Sequence, residues 1–141
     1  MRKDFAKLIL LLFAFLPLQL YSQTRMTNNI TLDVDHPNKK RMEYFLNSVD
    51  EKLENVSYNW RALKESDRVI GGYRFKNSEG SLTITVIFAN SYMEANQIAE
   101  ANSFPQLPHA RWSLNGNLLY LVESKDEDKV SSILSHFAGK E

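Results

Sequence analysis

The stretch Ser113–Phe137, SLNGNLLYLVESKDEDKVSSILSHF, contains the signals for a β-hairpin and a following helix in one continuous run. Asn115-Gly116 favours a type I′ turn, because both residues tolerate the positive φ angles that this turn requires. The predicted hairpin therefore places Leu114 opposite Asn117. Apolar residues then recur in steps of two away from the turn, which predicts a hairpin with a strongly apolar face.

The second strand of this hairpin, residues 118–122, is apolar on both faces, as is typical of a strand inside a sheet. Ser124 and Glu127 have the spacing of a capping box and predict that a helix begins there. Its apolar residues recur at steps of three and four, which predicts a buried stripe before Gly139 ends the helix. The stripe consists of Val130, Ile133, Leu134 and Phe137.

A similar strand, strand, helix pattern precedes it. Two β-rich runs are separated by Asn77–Gly80, which predicts a hairpin. Gly71-Gly72 indicates a bulge or a position where another group presses close to the backbone. The residues predicted to face the core are Val69, Tyr73 and Phe75 in the first run and Leu82, Ile84, Val86 and Phe88 in the second. Ser91 and Glu94 then predict a capped second helix.

The N-terminal part of the domain reads as a long helix. Pro37 suits the first turn of a helix, where its missing N–H costs nothing. The apolar residues that follow at steps of three and four predict a helix through Val56: Met42, Phe45, Leu46, Val49, Leu53 and Val56. In the next segment, residues 57–67, aromatic residues alternate with polar ones. We interpret this segment as a strand, with a short extension of the helix as the alternative.

These elements predict an α+β fold with three helices and a largely antiparallel sheet of four to five strands, in the order α-(β)-β-β-α-β-β-α. Gly80 and Ile84 lie 36 positions before Gly116 and Tyr120, and each second strand leads to a Ser-x-x-Glu cap. Duplication of a ββα unit is one explanation of this spacing. Convergence on favourable turn and cap residues is the other.

The first 22 residues resemble a signal peptide. Arg2, Lys3 and Lys7 precede the apolar run 8–18, which is too short to cross a membrane as a helix. We therefore expect residues 1–22 to be a signal peptide, 23–35 a flexible lead-in and 36–141 a single α+β domain. The chain has no cysteine, which excludes a disulfide scaffold, and we expect a periplasmic or secreted bacterial protein.

Charge narrows the range of partners. The whole chain carries 17 basic and 17 acidic residues, and loss of the first 22 residues leaves 14 and 16. The only basic run, 39–41, lies at the start of the first predicted helix beside Glu43. Because nucleic-acid binding needs clustered Lys and Arg, we expect no nucleic-acid partner, and no membrane partner once the leader is removed.

The sequence contains no recognisable catalytic motif. His36, His109 and His136 do not show the spacing of a metal site, and no Gly-x-Ser-x-Gly elbow or phosphate-binding loop is present. The acidic run 123–129 has neither the order nor the interior glycine of a calcium loop, so a solvated helix N-terminus is the better interpretation. We expect no metal and no cofactor.

The remaining candidate is a surface. If all helices pack on one side of the sheet, the other side exposes either Ile87, Leu118, Tyr120 and Val122 or Trp112, Leu119 and Leu121. If helix one covers that side, a three-layer domain results with nothing exposed. The candidate binding face consists of Tyr120, Leu118, Val122, Arg111 and Trp112.

The function predicted from these observations is a small exported binding module that acts through a sheet face or a helix–sheet cleft. One alternative is a small periplasmic hydrolase that uses carboxylates or His109 and His136. The other is a structural domain that dimerises to cover an open sheet face, so the partner is either another protein or a second copy of the chain.

Overall fold

The computed structural model describes residues 36–138 and confirms the α+β class. The predicted leader, the predicted lead-in and the helix-ending role of Gly139 lie outside these residues. Three helices and six strands follow one another as α1 (Pro37–Leu46), β1 (Leu53–Val56), β2 (Gly71–Asn77), β3 (Leu82–Phe88), α2 (Tyr92–Ala101), β4 (Gln106–Leu107), β5 (Ala110–Asn115), β6 (Leu118–Ser124) and α3 (Glu127–Phe137). The sheet is antiparallel, with strand order β1-β2-β3-β6-β5-β4, and its six strands exceed the four to five predicted.

Helices cover both faces of the sheet, so the domain has three layers. The first core lies between the sheet and the pair α1 and α3, and it contains the predicted stripes of β3 and α3. The second core lies between the opposite face and α2 together with the residues before β2. β3 and β6 pair along their whole length and are buried on both faces, as the apolar pattern of β6 predicts.

The β5–β6 hairpin has a different register from the one predicted. Asn115 pairs with Leu118, and Leu114 lies opposite Leu119, so the two loop residues are Gly116 and Asn117. Gly116 has φ +58° and Asn117 does not have a positive φ, which fits a type II′ turn with Gly in its first central position. The prediction was wrong by two residues. A shift of two positions leaves every side chain on its predicted face, because side chains in a strand alternate with period two.

The first helix ends ten residues earlier than predicted. α1 stops at Leu46 with Asn47 as its C-cap, and Leu53–Val56 form edge strand β1 instead of further helical turns. The apolar spacing of Leu53 and Val56 was therefore misread. The intervening residues, Asn47-Ser48-Val49-Asp50, include three types that favour turns by bonding to nearby backbone groups.

Residues 57–67 do not form the predicted strand. They contain two short 3₁₀ turns, Trp60–Ala62 and Ser66–Arg68, which carry Trp60 into the second core. The close approach predicted at Gly71-Gly72 is confirmed, because a Cβ on Gly72 would lie 2.8 Å from the Trp60 ring. Val69 belongs to this second core and not to the face of Tyr73 and Phe75, so its predicted placement was wrong.

The N-caps of α2 and α3 were predicted with different accuracy. The Ser91 hydroxyl accepts from the Glu94 N–H at 3.2 Å, as predicted. The Glu94 carboxylate, which a capping box would turn back to the Ser91 N–H, lies 3.6 Å from Arg68 Nη1 instead. The N-cap of α3 is Asp126 and not Ser124, because β6 continues through Ser124. Asp126 Oδ1 accepts from the N–H groups of Asp128 and Lys129 at 3.1 and 3.2 Å.

The spacing of 36 residues has a structural counterpart only in the central strands. Ile84 pairs with Val122 and Val86 pairs with Tyr120, as a two-fold axis between β3 and β6 would require. The helices that follow do not obey this symmetry, since α2 packs in the second core and α3 in the first. A repeated ββα unit with common packing is therefore not what the structure shows.

Candidate binding cleft

The predicted binding face is not an exposed surface. Tyr120, Leu118 and Val122 are fully buried beneath α1 and α3, so the prediction that they form an open face was wrong. Ile87, which was grouped with them, pairs with Leu119 and lies on the opposite face. Both faces of the sheet are covered because helices pack on both sides, as in the three-layer alternative. The helix that covers the face opposite α1 and α3 is α2, whereas the prediction assigned helix one to it.

The other two residues of the predicted face lie on opposite sides of the sheet. Arg111 pairs with Val122 and donates from Nη2 to the Ser131 hydroxyl of α3 at 2.7 Å. Trp112 packs partly buried against the second core. The structure therefore does not bring the five predicted residues together.

Tyr120 has the environment of a core residue with one unsatisfied atom. Its ring contacts Phe137 with centroids 4.8 Å apart and Phe45 at 6.2 Å. Its hydroxyl is buried and has no hydrogen-bond partner among the described residues. Burial raises the pKa of the Tyr120 phenol well above its usual range, and the charge of Arg41 opposes this only in part.

The three histidines have separate environments. His36 Nδ1 accepts from the Asn38 N–H at 3.2 Å and caps α1. His109 is exposed and lies 3.1 Å from Glu127 Oε1 through its Nε2. His136, in the last turn of α3, contacts the ring of Phe45 at 6.1 Å. Within residues 36–138, no three His, Asp or Glu side chains are grouped so that they could hold a metal ion.

One cavity among the described residues lies where α3 faces the link between α1 and β1. We call this cavity, of about 580 Å³, the main cleft. Residues 129, 132, 133 and 136 recur at steps of three and four along α3 and so present one flank of the helix to it. Its lining residues are Ser48, Val49, Asp50, Glu51, Asp126, Asp128, Lys129, Ser132, Ile133, His136 and Phe137.

The main cleft combines apolar and acidic groups. Val49 and Ile133 supply the apolar surface, above the fully buried ring of Phe137. Asp50, Glu51, Asp126 and Asp128 supply carboxylates. Lys129 is the one Lys or Arg side chain in the lining, and its Nζ lies 2.5 Å from Glu51 Oε1. This hydrogen bond raises the pKa of the Lys129 ammonium above its ordinary value, so the group is charged at neutral pH.

A second cavity, of about 500 Å³, adjoins the main cleft, and we call it the side cavity. It lies under α1 at the β1–β2 end of the sheet, and Val49 and Glu51 line both cavities. The remaining lining residues are Lys39, Met42, Glu43, Leu46, Asn47, Leu53, Asn55, Tyr73 and Phe75. A helix–sheet cleft was one of the two kinds of site expected from the sequence. Of the residues that line the two cavities, only His136 was named as a candidate, in the hydrolase alternative.

The sequence did not predict the main cleft, because the cleft forms only if α1 ends at Leu46. A helix continued through Val56 would place Val49 in a buried helical stripe and not in the irregular link that lines the cleft. The signal that indicates the break is the cluster Asn47-Ser48 with Asp50, whose side chains favour turns over helix interiors.

No helix among residues 36–138 has the length and apolar character needed to cross a membrane. Comparison of the chain with protein-family models, curated proteins and solved structures finds no significant match.

Proposed function

We propose that this protein is a small exported binding module that takes a small amphiphilic cation, meaning an apolar body with an ammonium or guanidinium group, in the main cleft. The observation that carries this proposal is the pairing of an apolar floor with an acidic rim in one cavity of about 580 Å³. The amino-terminal run 1–22 supports the exported location, because its charged start and short apolar stretch resemble a secretory leader.

The floor of the main cleft favours an apolar ligand. Ligand pockets are concave, mostly apolar and about 300–1,000 Å³ in volume, with a few polar groups that fix orientation. Ile133 and Phe137 belong to the first core and are held by α3, so this part of the floor is preformed. A preformed apolar floor lowers the entropy cost of binding.

The rim of the main cleft favours a cation. Four carboxylates face one ammonium, which leaves the lining with an excess of negative charge. Glu51 is engaged by Lys129, and Asp126 caps α3. Among the described residues, the exposed carboxylates of Asp50 and Asp128 have no hydrogen-bond or ion-pair partner. These two groups can therefore attract a ligand cation without breaking an existing bond.

Three matched probes test this function: octylammonium, octan-1-ol and octanoate. They share one apolar chain and differ in the charge of the head group. We expect octylammonium to bind the chain lacking residues 1–22 most tightly and octanoate most weakly, with a ratio of roughly tenfold between the two, which shrinks at high salt. Calorimetry gives the affinities, and backbone amide NMR shifts show whether residues 48–51 and 132–137 are the ones perturbed.

Two serines on opposite flanks of α3 supply matched variants. Ser132 lines the main cleft, whereas Ser135 lines a small cavity beside β5, and both are exposed. Ser132→Trp should fill the main cleft and reduce octylammonium affinity at least tenfold, while Ser135→Trp should leave it unchanged. Equal effects of the two variants, or binding that does not depend on head-group charge, would contradict the proposed function.

A further inference from the structure

The link between α1 and β1, residues 47–52, separates the main cleft from the side cavity, and we call it the strap. Val49 and Glu51 are its two residues that line both cavities. The wall between the cavities is thus a short irregular segment and not part of a helix or strand. Short irregular segments move at lower cost than packed elements, because fewer contacts are lost.

The strap has one polar tie to α3, in addition to the packing of Val49 against the first core. Glu51 Oε1 lies 2.5 Å from the Lys129 Nζ, and no other hydrogen bond or ion pair joins residues 47–52 to α3 within the described part of the chain. On the sheet side, Asn77 Nδ2 donates to Glu51 Oε2 at a long 3.4 Å. Glu51 therefore anchors the strap on both sides, and it does so most closely through the ion pair.

The remaining bonds of the strap are local. The Ser48 N–H donates to the Phe45 carbonyl at 3.2 Å, and the Val49 N–H donates to the Leu46 carbonyl at 3.1 Å. These bonds continue the last turn of α1 and tie the start of the strap to that helix. They do not hold it against α3.

The ion pair has the properties of a releasable contact. The Lys129 and Glu51 side chains are 32% and 26% exposed, so water and salt reach both groups. Partly exposed ion pairs stabilise weakly and are screened by salt, in contrast to fully buried pairs. A contact of this kind can keep the strap closed most of the time and still open on binding.

We infer that the Glu51–Lys129 ion pair is a latch that keeps the main cleft and the side cavity apart, and that its release joins them into one longer cleft. The joined cleft accommodates a longer apolar chain, because the side cavity adds Leu53, Tyr73 and Phe75 to the apolar lining. This inference rests on the proposed function for the identity of the ligand. The opening of the strap itself does not depend on any ligand.

The absence of cysteine from the chain allows a direct test. Val49→Cys places a single, partly buried thiol in the wall between the cavities. In this background, Glu51→Gln and Lys129→Met should each raise the rate of labelling by a disulfide reagent twofold to fivefold, roughly, because each removes one charge of the latch. Raising the salt concentration should accelerate labelling of the Val49→Cys protein in the same direction.

Two controls separate the latch from general loosening. The charge exchange Glu51→Lys with Lys129→Glu should restore the labelling rate to within about twofold of the rate in the Val49→Cys protein. Glu65→Gln removes a carboxylate from the Arg68 ion pair, whose atoms are 2.7 Å apart, and should not change labelling. Unchanged labelling in both latch variants, or failure of the charge exchange to restore it, would overturn the inference.

A ligand series completes the test. The ratio of dodecylammonium to octylammonium affinity cancels the effect of the head group and reports only on chain length. This ratio should be about threefold to fivefold higher in Glu51→Gln than in the unchanged protein. If octylammonium binds and labelling responds but the ratio stays constant, the proposed function stands and the joined cleft is wrong. If labelling responds but neither probe binds, the latch stands and the proposed ligand is wrong.

Discussion

At the scale of single residues, close packing around Tyr120 and Gly72 limits which side chains these positions can hold without loss of stability. Tyr120 lies in the first core with its ring between Phe45 and Phe137, yet its hydroxyl has no partner among the described residues. Gly72 lies directly against the ring of Trp60, which belongs to the second core. Tyr120 therefore has a buried hydroxyl that nothing satisfies, and Gly72 has no room for a methyl group.

Tyr120→Phe should stabilise the protein. The variant keeps the ring contacts and removes a buried hydroxyl that has lost its hydrogen bonds to water, which is worth about 1 kcal/mol in the free energy of unfolding. Urea denaturation at neutral pH measures the change. Tyr120→Ser is the opposing control, because it keeps a hydroxyl and removes the ring, and it should destabilise by about 4 kcal/mol. A loss of stability in Tyr120→Phe would show that the hydroxyl has a partner.

The raised pKa of Tyr120 predicts a dependence on alkaline pH. The native state holds the phenol proton more tightly than the unfolded state, so the associated stability is present below the unfolded pKa of about 10 and is lost as the pH rises above it. The free energy of unfolding should therefore fall more steeply above that pH in the unchanged protein than in Tyr120→Phe. Parallel pH profiles of the two proteins would contradict the burial of an ionisable phenol.

Gly72→Ala should destabilise because its Cβ would lie 2.8 Å from three atoms of the Trp60 ring. Trp60 is 1% exposed and cannot move aside, so overpacking should cost about 2 kcal/mol. In a Trp60→Leu background the same substitution should cost less than half as much, since the clashing ring is gone. Equal costs in the two backgrounds would show that the ring is not the obstacle.

At the scale of elements, the ends of helices and strands determine what the chain can do. The break after α1 creates the strap and the cleft, and the extension of β6 through Ser124 moves the start of α3 to Asp126. Asp126 then caps α3 with one oxygen and faces the main cleft. A cap residue is in this way placed beside the candidate site.

Asp126→Ala should cost about 1 kcal/mol of stability, because two N–H groups of the first turn of α3 lose their acceptor. Asp126→Asn keeps an acceptor oxygen and should remain within a few tenths of a kcal/mol, roughly, of the unchanged protein. Glu127→Gln should likewise have little effect, although the capping box expected from the sequence would make Glu127 important. Thermal denaturation compares the three, and a larger loss in Glu127→Gln than in Asp126→Ala would favour the sequence-based cap.

The period of the apolar residues was sufficient to predict strands β2, β3, β5 and β6 and the buried stripe of α3, because packing on a sheet requires that period. Boundaries were less accurate. Leu53 and Val56 fit a helical stripe and a two-sided edge strand equally well, and pairing with β2 decides between the two. Asn115-Gly116 and Gly116-Asn117 are both acceptable turns, and the pairing of β6 with its neighbours selects the second.

The candidate site could not be predicted for the same reason. Its residues come from the strap and from one flank of α3, which are 78 positions apart at the Glu51–Lys129 ion pair. Only the end of α1 and the packing of α3 bring them together. A spacing pattern reports neighbours along one element, and it holds no information on contacts between two elements.

At the scale of the whole molecule, two cores share one sheet. β3 and β6 contribute side chains alternately to both, so that Ile84 lies in the first core and Ile87 in the second. If either helix layer detached from the sheet, one apolar face of these two strands would be exposed to water. We therefore expect the layers to unfold as a single cooperative unit, as is usual for a domain of this size.

The two tryptophans make this coupling measurable, because Trp60 and Trp112 both belong to the second core. Tryptophan fluorescence therefore reports on one layer, whereas far-UV circular dichroism reports on all three. Ile84→Val removes a methylene from the first core and Ile87→Val removes one from the second, and each should cost about 1 kcal/mol. In a cooperative unit, both variants shift the fluorescence and dichroism transitions together. A fluorescence transition that does not shift in Ile84→Val would mean that the α2 layer unfolds independently of α1 and α3. The central strands would then not couple the two cores.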